Sequence, residues 1–241
     1  TVGQMTTVHP HFDATAGESV NLVTRYHALS HYNIYRVTPA GNIHRAASVP
    51  VLRPSYLHSF GMSANYFVIV EFPLVVSSID LLLWLRPYIE NFRWQPRRGA
   101  RFTVIDRHSG QVTGRYDCDA FFAFHHINAF ERDGELFADL CAYDDASIIQ
   151  HYYLNRLRDE SNELPSGTLR RYRIPLHSAG GRINGETLSD ASMELPRFDT
   201  ERYARDGAYR FVYACGIDTE HRRGFYNQIV KVDTGNGLSR T

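Results

Sequence analysis

The chain has 241 residues, 43% hydrophobic and 22% charged, a balance that excludes intrinsic disorder and calls for a packed core. Lys plus Arg and Asp plus Glu number 26 each, so no basic excess marks a nucleic-acid partner. The three cysteines, Cys118, Cys141 and Cys215, show no CxxC spacing and are odd in number. They read as reduced thiols of a cytoplasmic protein rather than a disulfide framework. No secretory signal is visible, and no apolar run reaches the roughly 20 residues that a membrane-spanning helix needs.

Short strand-like runs separated by turn signals recur along the chain. The first turn signal is Pro39-Ala40-Gly41-Asn42. "NYFVIVEF" follows as a strand, and then Ser78 to Trp94, "SIDLLLWLRPYIENFRW", breaks the pattern. That segment carries Leu81, Leu82, Leu83, Trp84 and Leu85 in a row, and Pro87 ends whatever they begin. A second turn falls at Ser109-Gly110 and a third at Asp133-Gly134, the two-residue signal of a tight hairpin. Ser147 to Glu160 has Ile148, Ile149, Tyr152 and Tyr153 near helical spacing, which predicts a short surface helix or irregular excursion. Turns recur in "YRIPLHSAGGRING" and "IVKVDTGNGLSR", on either side of the strand-like "YRFVYACG". Many short strands with regular turns predict an all-β barrel, sandwich or propeller.

Three histidines stand in apolar or strand-like settings: His9 in "TVHPHFD", His58 in "SYLHSFGMSANYFVIVEFP" and His125 in "FFAFHHINAFE". They lie 49 and 67 residues apart. A propeller blade takes roughly 40–50 residues, so each histidine could come from the inner strand of a different blade and meet the others at the axis. Imidazoles so gathered suit Zn, Cu, Fe or Ni alike. The competing reading for any one of them is an ordinary buried histidine with a hydrogen-bond partner. His11 and His126 are hard neighbours, because strand alternation sends only one residue of each close pair to a given face. His27, His31, His44, His108, His151, His177 and His221 sit in polar or turn contexts.

The motifs "TVHPHFD", "SYLHSFGMSANYFVIVEFP", "FFAFHHINAFE" and "MELPRFDTERYARDGAYRFVYACG", in this order, resemble those of the carotenoid cleavage oxygenase family. The likeness is to its β-carotene oxygenase and retinoid isomerohydrolase branch, and it covers nearly the whole chain. It implies a seven-bladed β-propeller holding a non-haem Fe(II) at its axis with four histidines. By the same resemblance His9, His58 and His125 are ligands, His126 faces away, and Glu194 holds the remote N–H of His125. Nothing after Gly216 matches the motif of the fourth histidine, and His221 is in a loop context. Residues 1–241 are therefore expected to be about five blades of a longer enzyme, one catalytic domain lacking its N-terminal blades and its closure, with short helical excursions.

The implied reaction uses O2 to cleave a carbon–carbon double bond of a carotenoid or apocarotenoid to carbonyl products. Two alternatives stay open: an isomerohydrolase-type reaction at the same iron, and a non-catalytic propeller that binds a hydrophobic ligand. Phe121, Phe122, Phe124 and Phe130 are candidates for tunnel or core, with core expected for most. Leu81 to Leu85, flanked by Arg86, Arg93, Arg97 and Arg98, is expected to make a peripheral membrane contact, its cations meeting headgroups.

Overall fold

The computed structural model describes residues 4–83, 86–206, 209–218 and 225–241. Trp84, Leu85 and His221 lie outside them, as does the Leu82 side chain. The described residues form four sheets of four or five strands and one two-stranded ribbon. In the first sheet Glu18–Arg25, Ser30–Val37 and Ile43–Val51 form an antiparallel meander. Met5–Thr6 and His11–Asp13 both pair with the free edge of Glu18–Arg25. The second sheet runs through Gly61–Met62, Tyr66–Glu71, Ala100–Asp106 and Val112–Cys118. The third holds Phe122–Arg132, Glu135–Tyr143, Thr168–Pro175 and Gly185–Ser189. The fourth holds Glu194–Arg197, Phe211–Gly216, Gln228–Asp233 and Ser239–Arg240.

The sheets stack face to face in chain order, because their strands are apolar on both faces. Along Tyr66–Glu71 the buried Phe67 and Ile69 join Val20, Leu22 and Ile34 of the first sheet. Val68 and Val70, on the opposite face, join Phe122, Leu136 and Leu140 of the third. Cys141 and Leu169 then meet Val212 and Val230 of the fourth. The strand that opens each sheet lies on a common side, and Phe122–Arg132 touches both Gly61–Met62 and Glu194–Arg197. Such stacking around a shared inner edge is how propeller blades pack.

The Asp133-Gly134 turn forms as the dipeptide predicts, with φ of 52° and 78° and Arg132 paired to Glu135 across it. "SAGGRING" does something else. Gly180–Arg182 leaves the third sheet and pairs in parallel with Val112–Cys118 of the second. The Tyr116 hydroxyl, bonded to the Pro175 carbonyl at 2.7 Å, ties the same two sheets together. Length points to about five blades, whereas the described residues hold four such sheets and the ribbon of Leu74–Val75 with Arg93–Trp94. Two excursions take up chain without adding blade strands. One contains the helix Ser78–Leu82 and the 3₁₀ turns Tyr88–Asn91 and Pro96–Arg98. The other contains the one-turn helices Ile148–His151 and Leu154–Leu157. The seven-residue helix Thr200–Asp206 sits within the fourth sheet's sequence.

Candidate metal centre and apolar cavity

The described site residues lie where the inner strands lose regular pairing. Between Met5–Thr6 and His11–Asp13 the inner strand of the first sheet is interrupted, and Pro10, which has no N–H to donate, follows His9 in that gap. His58 precedes Gly61–Met62 in a stretch outside the ladders. In Phe122–Arg132 the register with Glu135–Tyr143 slips between Ala123 and His126 and again between His126 and Asn128. His125 stands on that irregularity, and such bulges re-aim a side chain. Glu194 opens a fourth irregular strand, with a shift between Glu194 and Arg197 and with Leu195 at a left-handed φ of 53°.

These breaks bring His9, His58 and His125 together, with one ring nitrogen of each lying within 4.8 Å of the others. His9 Nε2 is 3.2 Å from His58 Nε2 and 2.9 Å from His125 Nε2. Two nitrogens in adjacent positions about 2.1 Å from one ion sit about 3.0 Å apart, so the spacing fits a metal. The donor chemistry fits as well. Burial, then the neighbouring His125, pushes His9 and His58 down to about 4, so both are neutral and offer a lone pair at neutral pH. The His125 Nδ1–H donates to Glu194 Oε2, which leaves its Nε2 free to ligate. Glu194 itself is 1% exposed and takes a second bond, 2.6 Å long, from the Leu195 N–H.

Two aromatic neighbours from the same motifs flank His58. The Tyr56 hydroxyl lies 3.4 Å from His58 Nδ1, and the Phe124 ring meets the His58 ring edge-on at 5.3 Å. Tyr56 precedes His58 by two, the spacing that puts residues on one side of an extended segment, so alternation could have flagged it. His126 turns from the cluster and bonds Ser59 Oγ at 2.8 Å, and His11 bonds the Phe60 carbonyl at 2.8 Å.

Beside His58 opens a cavity of about 320 Å³ walled by Tyr56, Ile89, Phe124, Ile149 and Tyr152. Phe121 and Phe122 are fully buried core, whereas Phe124 lines the cavity and Phe130 stacks on Phe137. In the leucine run, Leu81 packs against the core and Leu83 is 58% exposed, as is Ile79 at 66%. Phe92, farther along, is buried, and Tyr88 and Ile89 face the cavity. No helix among the described residues is long and apolar enough to cross a membrane.

Known proteins resemble the chain in sequence and in fold. It is 35% identical to a carotenoid isomerooxygenase of Galleria mellonella over 79% of its length, covering 38% of that protein. It is 33% identical to a mitochondrial carotenoid-cleaving dioxygenase of Macaca fascicularis over 95% of its length and 50% of that protein. The chain thus spans half or less of these two relatives. A variant of Synechocystis apocarotenoid oxygenase superposes with a TM-score of 0.81 at 22% identity, over 99% of this chain and 50% of that one. A cobalt-substituted form matches with a TM-score of 0.81 at 22% identity, over 98% and 50%. These likenesses carry the fold, and the stacked sheets are blades of a carotenoid-oxygenase-type β-propeller. Residues 2–241 match the family described as retinal pigment epithelial membrane protein (RPE65), and the chain belongs to this RPE65/carotenoid oxygenase family.

Proposed function

We propose that the chain is the metal-bearing part of a non-haem Fe(II) oxygenase that cleaves a carbon–carbon double bond of a carotenoid or apocarotenoid. One observation carries the reading: three converging imidazoles stand beside an apolar cavity. The names of the relatives supply the substrate class. His9, His58 and His125 would hold the iron, and a bound ferrous ion supplies the O2 chemistry that side chains lack. The reaction balances as one alkene plus one O2 giving two carbonyls, without a proton donor. The protein's own part is orientation. Glu194 keeps the Nδ1 proton of His125 in place, Tyr56 and Phe124 fix the His58 ring, and the cavity wall excludes water along a polyene.

The test is O2 uptake by the iron-loaded, full-length protein given β-carotene or an apocarotenoid, with products identified. Stoichiometric O2 uptake with two carbonyl fragments is expected. An isomerised product without O2 uptake would replace the reading with the isomerohydrolase, and binding without turnover with a carrier. Ile149→Trp should block the cavity and lower kcat/KM roughly tenfold or more while metal content stays unchanged. Unaltered kinetics in that variant would remove the cavity from the substrate path.

Peripheral membrane contact of a cytoplasmic protein is part of the same proposal, since carotenoids dissolve in lipid. The exposed Ile79 and Leu83 sit on the excursion whose Ile89 walls the cavity, with Arg86 and Arg93 nearby in sequence. A fully buried Leu or Ile is worth roughly 1.5–3 kcal/mol, so Ile79→Ser with Leu83→Ser should weaken liposome binding at least about tenfold. Metal content should be spared. Unchanged sedimentation with liposomes would assign the excursion to the fold alone.

A further inference from the structure

We infer that His11 and His126, the second histidines of "HPH" and "HH", are positioning residues that clamp the turn carrying His58 to the two strands carrying the other histidines. The inference rests on the metal reading above. Residues 57–60 lie outside the sheet ladders, so His58 is not placed by strand pairing. Its next two residues are held instead by imidazoles. His11 Nε2 donates to the Phe60 carbonyl at 2.8 Å, and the two rings meet edge-on at 4.6 Å. His126 reaches Ser59, 5% exposed, whose hydroxyl makes three bonds. Ser59 Oγ donates to the Phe124 carbonyl at 2.7 Å. Its single proton is then spent, so both remaining contacts are donated to it. The His126 backbone N–H gives one at 2.9 Å and His126 Nδ1–H the other at 2.8 Å.

The consequence is geometric. His11 belongs to the strand that follows His9, and His126 follows His125. Each neighbour pair therefore offers one imidazole to the centre and one to a residue just after the third donor, His126 to the Ser59 hydroxyl and His11 to the Phe60 carbonyl. Ser59 closes the loop, because its acceptor Phe124 directly precedes His125. The three ring nitrogens are thereby kept at the 2.9 Å and 3.2 Å spacings by bonds that never touch a metal. A single ion demands that regularity of donors drawn from three separate stretches of chain.

The test uses Co(II) in the full-length protein, because its visible ligand-field bands report donor geometry independently of turnover. His126→Leu and His11→Leu should each lower Co(II) affinity about 10- to 100-fold, as losses behind a ligand do, and shift the bands. His126→Asn places an N–H where Nδ1 had one, and His11→Gln where Nε2 had one, so both should bind within a few-fold of the parent with its spectrum. Leucine variants with the parent's affinity and bands would overturn the clamp. So would Asn and Gln variants that lose metal as badly as Leu while melting at the parent's temperature. A purely structural role predicts a lower Tm with unchanged bands. If the leucine variants do not fold, Ser59→Ala keeps both histidines and removes the acceptor of His126, and unchanged bands there reject the clamp. If His9→Ala and His125→Ala leave Co(II) binding intact, the metal reading itself falls; if only they abolish it, the clamp alone falls.

Discussion

Replacing His9, His58 or His125 with Ala in the full-length protein is expected to abolish metal retention and O2-dependent turnover together. The three ring nitrogens approach one another more closely than a set of unrelated surface histidines would, at 2.9 Å and 3.2 Å for the two pairs sharing His9. Removing one deletes a bond to the ion rather than a support behind it, so the loss should exceed the 10- to 100-fold typical of supporting residues. His125→Ala should be the most damaging to the fold as well, since it strands the buried Glu194 carboxylate without its imidazole. His126→Asn is the matched control, one residue away and equally aromatic in the parent, and should keep its metal. Iron or Co(II) content after gel filtration, with the melting temperature alongside, reads the result. Equal metal loss from the His125 and His126 variants would reject the assignment, and so would full metal content in any of the three alanine variants.

Most of the fold was legible because strand chemistry is local. The strand-like "NYFVIVEF" and "YRFVYACG" hold the strands Tyr66–Glu71 and Phe211–Gly216, and Asp133-Gly134 closes its hairpin as the dipeptide predicts. The parallel excursion of Gly180–Arg182 was not legible, because three exposed residues with two glycines carry no face to read. The centre was legible as residue types and motif order, but not as geometry. Period-two alternation presumes an unbroken register, and the described site residues stand at breaks. His125 points to the cluster through a bulge that no residue type announces. The partners of His11 and His126 are a backbone carbonyl and a serine of the turn at residues 57–60, which one-dimensional spacing does not link. The leucine run divides in a way that its composition does not announce. Hydrophobicity alone does not separate Leu81, which packs inward, from Leu83, which faces out.

Glu194→Gln is expected to weaken metal binding about 10- to 100-fold while leaving the metal-free fold as stable as before, or more so. The two effects have opposite sign for one physical reason. Glu194 is 1% exposed, Oε2 takes the His125 Nδ1–H and the Leu195 N–H, and Oε1 is sealed without a hydrogen-bond partner among the described residues. A carboxylate so enclosed is costly unless a cation stands near, and under the proposed metal reading the ion bound by His125 is that cation. Leu195 adds to the expense, since a left-handed φ of 53° is uncommon for a residue with a Cβ, yet it aims the Leu195 N–H at the carboxylate. Gln keeps the shape and an acceptor oxygen for Nδ1–H but removes the charge that strengthens His125 as a donor. The metal-free Tm should therefore hold or rise while Co(II) affinity drops. Glu194→Ala, which also loses the acceptor and opens a void, should lower both. A Gln variant that loses stability and affinity in equal measure would make Glu194 a structural residue, and one that loses neither would detach it from the centre.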